Sequence, residues 1–180
     1  DDYGDYSTNE PTMDGTASLI YLLAAKEAES PLQPPPRGEA FEESPKDKFS
    51  YSHGGITRGD STRKRIALVF TGHEFAEGGG FIANTLQQQK IKASFFFTGR
   101  FYNNPAFKNI IQQLKTGGNY LGPHSNEHLL YCDWNNRDSL LVTRESFLND
   151  LLINLDIMHG KGINTFQTKY FLPPYEWYND

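Results

Sequence analysis

Cysteine is nearly absent. Cys132 stands alone in the 180-residue chain, so no intrachain disulfide can form. Long apolar runs are missing as well. The chain has no stretch of about 18 apolar residues, which excludes a transmembrane helix. Basic residues are outnumbered, 17 against 22 acidic, for a net charge of -5. Without a basic stripe the chain lacks the electrostatic footprint of a nucleic-acid binder. Its one short basic run, Arg63-Lys64-Arg65, reads as a solvated strand entry. Asp1-Asp2 opens without the basic-then-apolar pattern of a signal peptide, so the chain is read as mature or trimmed.

What is present suits a globular domain with an appended segment. Hydrophobic residues make up 37% and charged residues 22%, enough for a core. A mean hydropathy of -0.61 implies that part of the chain is not core-forming. Thirteen Phe and ten Tyr fit a packed core, with a carbohydrate-binding cleft as the alternative use.

Composition divides the chain near residue 60. In the first part, 16–29 reads as a helix with Asp14 or Thr16 as N-cap. Pro34-Pro35-Pro36 favours polyproline geometry, 37–48 has linker composition, and 52–59 reads as a turn or hairpin. Residues 61–180 are expected to form the main domain. There Ile66 to Phe70 reads as a strand buried on both faces, followed by a helix through Phe81, Ile82 and Leu86. A second strand spans 93–97. Asn104-Pro105 opens a helix that ends at Gly117-Gly118. A third strand covers 119–122, an amphipathic helix covers 144–159, and Tyr170-Phe171-Leu172 reads as a final short strand. Alternation of this kind indicates a parallel α/β architecture, in which ligands bind at the carboxyl ends of strands.

Two motifs fall at such ends. His124 and His128 lie four apart just after Gly122-Pro123, a spacing that lets two imidazoles reach one divalent metal. Two solvated loop histidines are the plain alternative. Thr71-Gly72-His73-Glu74 ends the first strand and adds two competent metal ligands, with exposed loop residues again the alternative.

The segments "ASFFFTGRF", "LGPHSNEH" and "YFLPPYEW", in this order after an apolar strand, resemble the polysaccharide deacetylases, the NodB-homology group of carbohydrate esterases. The resemblance runs from about Lys64 to Asn179. It implies an incomplete or distorted (β/α) barrel of the polysaccharide deacetylase type, carrying the N-terminal portion of that barrel. It also implies metal-dependent removal of acetyl groups from a carbohydrate polymer. The implied metal is divalent, most commonly zinc, with His124 and His128 as two ligands. A bacterial, extracytoplasmic setting and a polysaccharide or oligosaccharide substrate follow from the same resemblance.

The departures from the family pattern matter as much. The family's Asp-Asp pair falls on Thr71 and Gly72, which can be neither base nor ligand, and its groove-wall Arg falls on Leu172. His73 or Glu74 is the expected replacement for the missing ligand, and Glu74 or Glu77 the expected base. Pro174, Tyr175 and Trp134 are expected to line the substrate groove, with packing as the alternative for the two aromatics. The later family motifs are absent before Asp180, so the native chain is expected to continue. A carbohydrate-binding pseudo-enzyme that keeps the histidines is the alternative function.

Overall fold

The structure, a computed structural model, describes residues 48–62 and 65–179. The expected helix over 16–29 and the proline run lie outside the described residues, as do Arg63 and Lys64. A small antiparallel hairpin comes first, β1 (Ser50–Ser52) against β2 (Gly55–Arg58). Its turn places His53 and Gly54 at φ 46° and 72°, the left-handed pair that suits the twist of a two-residue hairpin. Gly55 packs directly under the Tyr178 ring, where any Cβ would collide with the phenol. The Tyr178 hydroxyl donates to the Ser52 carbonyl at 3.2 Å, tying the hairpin to the far end of the chain.

The main sheet has three parallel strands in the order β3 (Val69–Gly72), β4 (Ser94–Phe97), β5 (Tyr120–Pro123). Register aligns their carboxyl ends, with Gly72 opposite Phe97 and Phe97 opposite Pro123. α1 (Gly79–Gln89) connects β3 to β4. α2 (Gly99–Asn103), a 3-10 turn (Pro105–Phe107) and α3 (Lys108–Thr116) connect β4 to β5. Asn104 caps the 3-10 turn through its side-chain oxygen, with Pro105 at the first position, where a missing N–H costs nothing. α4 (Arg144–Gly160) follows β5 after a long loop, capped by Thr143. Phe95, Phe97, Phe101, Leu114 and Met158 form the middle of the core. Among the described residues Phe95, Phe96, Phe97, Phe101, Tyr102 and Tyr131 are buried, while Phe75, Phe81 and Phe166 stay exposed.

Three sequence expectations need correction. The first strand begins at Val69 rather than Ile66, and it is not buried on both faces: Ile66 and Ala67 are exposed and Val69 is 45% exposed. The reason is topological, since β3 pairs only with β4 among the described residues and forms an edge. Residues 170–172 form no strand. Leu172 N–H donates to the Pro123 carbonyl at 3.2 Å, and Pro173-Pro174 then supply no N–H to continue a ladder. α4 turns a partly polar stripe inward, burying Asp150, Asn154 and Met158 while Leu148 and Leu152 face out. Among the described residues the sheet does not close into a barrel, so the chain displays part of the (β/α) fold. No helix among them is long and apolar enough to cross a membrane.

Candidate metal and glycan site

The carboxyl ends of the three strands carry the histidines. His73 leaves β3, Thr98 leaves β4 and His124 leaves β5, so the sheet register itself brings them together. His128 joins them because the loop after His124 turns back, with Ser125 and His128 both left-handed at φ 71° and 59°. Ring centroids of His124 and His128 lie 5.0 Å apart at 67°, those of His73 and His128 4.9 Å apart at 22°.

Buried hydrogen bonds fix this loop. Asp150, on α4, accepts from Ser125 Oγ at 2.6 Å, Asn126 N at 2.7 Å and Glu127 N at 3.0 Å. Asn154, one turn later, donates to the carbonyls of Phe97 and Ser125. The inward polar stripe of α4 thus satisfies backbone groups that a left-handed loop cannot pair within itself. Gly99 sits against the Asn126 carboxamide with no room for a Cβ.

Burial keeps His124 and His128 neutral. Burial pushes His124 down to about 4, opposed by its bond to the Leu172 carbonyl and assisted by His128 and His73. Burial also pushes His128 down to about 4, with His73 lowering it further and Glu74 opposing. At neutral pH both rings therefore offer a nitrogen lone pair. His124 Nδ1 lies 2.7 Å from the Leu172 carbonyl oxygen. A carbonyl only accepts, so Nδ1 carries the proton and Nε2 holds the lone pair, the arrangement that orients a metal-ligating histidine.

The residues expected from sequence are distributed unevenly. His73, His124 and His128 are brought together, and Glu74 Oε1 lies 3.7 Å from His73 Nε2. Glu77 is exposed further along the loop, at the rim of an apolar cavity of about 550 Å³ between α1 and the sheet. Pro174 is buried, and the Tyr175 ring meets His128 edge-on at 4.5 Å. Trp134, 51% exposed, meets Tyr175 at 5.4 Å and Trp177 at 5.7 Å. Trp177 is committed elsewhere: its indole N–H donates to the Asp133 carbonyl and the Arg137 guanidinium covers its face at 3.6 Å. Among the described residues no three or more His, Cys, Asp or Glu side chains are gathered as a metal cage. The His124–His128 pair fits a divalent ion by its donor chemistry, and a third ligand is not preset.

Sequence reasoning missed Thr98, Asp150 and Asn154. Asp150 and Asn154 had a signal, two short polar residues at i and i+4 beside an apolar stripe. Thr98 had one also, a threonine between a buried strand and Gly99, where a helix cap is expected.

The polysaccharide deacetylase family model matches residues 58–180. The chain belongs to the polysaccharide deacetylase family. The family's deacetylases are metalloenzymes. A curated relative, the peptidoglycan-N-acetylglucosamine deacetylase of Bacillus cereus, is 24% identical over 173 residues, covering 96% of this chain and 54% of the relative. The chain thus spans about half the length of that protein. Among solved structures, a mutant of a Bacillus anthracis CE4 family pseudoenzyme with restored enzymatic activity aligns at TM-score 0.58 and 18% identity, over 72% of this chain and 43% of that one. A family 4 acetyl xylan esterase from Clostridium thermocellum, in complex with a cobalt ion, aligns at TM-score 0.50 and 19% identity, over 63% and 50%. At these identities the likeness shows the shared α/β fold.

Proposed function

We propose that this site hydrolyses acetyl groups on a carbohydrate polymer with the help of a divalent metal, zinc by preference, held by His124 and His128. The observation that carries this reading is the pair of neutral imidazoles at 5.0 Å, one with its Nδ1 pinned to a carbonyl and its Nε2 lone pair free. Either His73 or Glu74 completes the ligand set. A divalent ion there supplies Lewis-acid polarisation of an acetyl carbonyl and acidifies water. The chain's own residues do the rest. Glu74, exposed beside His73, is placed to take up a proton, with Glu77 as the more distant candidate. Tyr175, edge-on to His128, and Trp134, beside Tyr175, offer aromatic surface on which a sugar ring can stack, with Pro174 as the buried residue of the groove. Residues 61–180 make up the domain that does this work, in a bacterial, extracytoplasmic setting where acetylated cell-wall or plant glycans are met.

A second reading is favoured by one observation. β3 ends on Thr71-Gly72, so the strand end that carries the family's acidic pair has no carboxylate. On that reading the protein binds glycan without turning it over.

Zinc content of the purified protein and of His124→Ala tests the shared premise. Stoichiometric zinc in the first and loss in the second is expected, and no zinc in either sinks it. Acetate release from acetylated chito-oligosaccharides and acetylxylan then separates the readings. Release supports the hydrolase; glycan binding by a zinc-loaded protein with no release supports the binder.

A further inference from the structure

His73 and His124 are held in opposite tautomers by their surroundings. The Thr98 hydroxyl is fully buried, and its oxygen already accepts from Phe101 N–H at 3.2 Å as the cap of α2. Its own proton needs an acceptor, because a buried hydroxyl left unpaired costs about 1–3 kcal/mol. Among the described residues the acceptor within reach is His73 Nδ1, at 3.1 Å. Thr98 therefore donates to Nδ1, and the neutral His73 ring carries its proton on Nε2. Glu74 Oε1, 3.7 Å from that nitrogen, favours a proton there while lying too far to consume it in a hydrogen bond.

Ring geometry agrees. Imidazole lone pairs lie in the ring plane, so two histidines share one ion only where their planes meet near both nitrogens. The His124 and His128 planes cross at 67° with centroids 5.0 Å apart, which permits this. His73 is stacked on His128 at 22°, and nearly parallel planes meet far from either ring.

We infer that His73 is a ligand-facing hydrogen-bond donor, presenting Nε2–H to an acetyl or hydroxyl oxygen of the bound sugar, and that it is not the third metal ligand. This rests on the proposed reading of the site for its ligand class, though the tautomer does not. On this assignment Thr98 is a positioning residue. Its hydroxyl dictates which His73 nitrogen faces the ligand, and the third metal position passes to Glu74, which leaves Glu77 as the base. The donor replaces none of the family's missing carboxylates; it adds a polar contact at the strand end where they are lost.

Long-range ¹H–¹⁵N spectra of the metal-free full chain near neutral pH report the tautomer of each ring, with His73→Ala assigning the signals. Protonated Nε2 at His73 and protonated Nδ1 at His124 are expected. Thr98→Ser keeps the His73 tautomer and Thr98→Val releases it into a mixture. Zinc titration should find His73→Ala within about threefold of the parent, while His124→Ala weakens binding about tenfold or more. Tri-N-acetylchitotriose should bind about fivefold more weakly to His73→Ala, the scale of one hydrogen bond. His73→Gln, which keeps an N–H donor, should recover most of that loss. A protonated Nδ1 at His73 overturns the inference, and so does zinc loss in His73→Ala equal to that in His124→Ala. If His124→Ala leaves zinc binding unchanged, the metal reading of the site falls, while the metal-free spectra still decide His73.

Discussion

His124 Nδ1 donates to the main-chain carbonyl of Leu172 at 2.7 Å, across 48 residues of sequence. The resemblance to the family pattern sets Leu172 at the place of its groove-wall arginine, yet the contact that orients the histidine comes from the Leu172 backbone. The side chain at 172 is therefore free to vary without disturbing the ring. Leu172→Arg should leave the His124 tautomer and zinc affinity unchanged, as read by ¹⁵N spectra and zinc titration. A switch to the Nε2–H tautomer would show that the side chain matters after all.

Asp150 should be a stability hot spot of α4. Asp150→Ala strands three donors, from Ser125, Asn126 and Glu127. The expected loss is about 3 kcal/mol in urea denaturation, with Asp150→Asn intermediate. A loss below about 0.5 kcal/mol would mean that water replaces the carboxylate.

Gly99 and Asn126 form a second coupled pair. A Cβ at 99 runs into the Asn126 carboxamide, so Gly99→Ala should lower stability by about 1–3 kcal/mol. Adding Asn126→Ala should return part of it, a non-additivity that thermal melts of the single and double variants can read.

Acid should weaken the metal-free fold through its histidines. Both His124 and His128 are pushed down to about 4 in the folded protein, against an ordinary value of 6.5. The unfolded chain thus takes up protons first as pH falls through 6.5. Their contribution is fully present above 6.5 and is lost progressively toward pH 4. Melting temperatures measured between pH 7.5 and 4 should fall across that window. The slope should flatten in a His124→Asn, His128→Asn double variant, and an unchanged slope there would assign the effect to other groups.

Trp134 is half exposed, so Trp134→Ala should leave the circular dichroism spectrum and melting temperature nearly unchanged. Affinity for tri-N-acetylchitotriose should nonetheless drop, and the fluorescence change on sugar addition should largely disappear. Retained affinity would place the sugar elsewhere.

Much of this site was legible in the sequence because it lies at strand ends, and strand ends are marked by breaks in apolar pattern. The His-x-x-x-His pair after Gly122-Pro123, and His73 after Phe70, are readable that way. What escaped were the groups that hold them. Asp150 and Asn154 face inward because the Ser125–His128 loop leaves N–H and C=O groups that need partners, and the i, i+4 polar pair in residues 144–159 does not name the loop it serves. The first strand differs from its sequence pattern for a related reason. Five apolar residues suggest burial on both faces, but burial depends on a second neighbour for β3, which is a property of the sheet and not of the strand. Residues 170–172 form no strand because the prolines after them end the ladder, a signal visible at Pro173.

Ser125, His128, Tyr175 and Glu176 all take left-handed backbone angles without being glycine. Each such residue carries about 1–2 kcal/mol of steric cost. Selection for thermostability alone would trade His128 and Tyr175 for glycine or asparagine early, and either trade would raise the melting point while erasing an imidazole or an aromatic wall, whereas Ser125 is held by its bond to Asp150. A consensus-style or heat-selected version of this protein is thus expected to be sturdier and blind to its ligand. His128 and Tyr175 mark where robustness and recognition compete for the same residues.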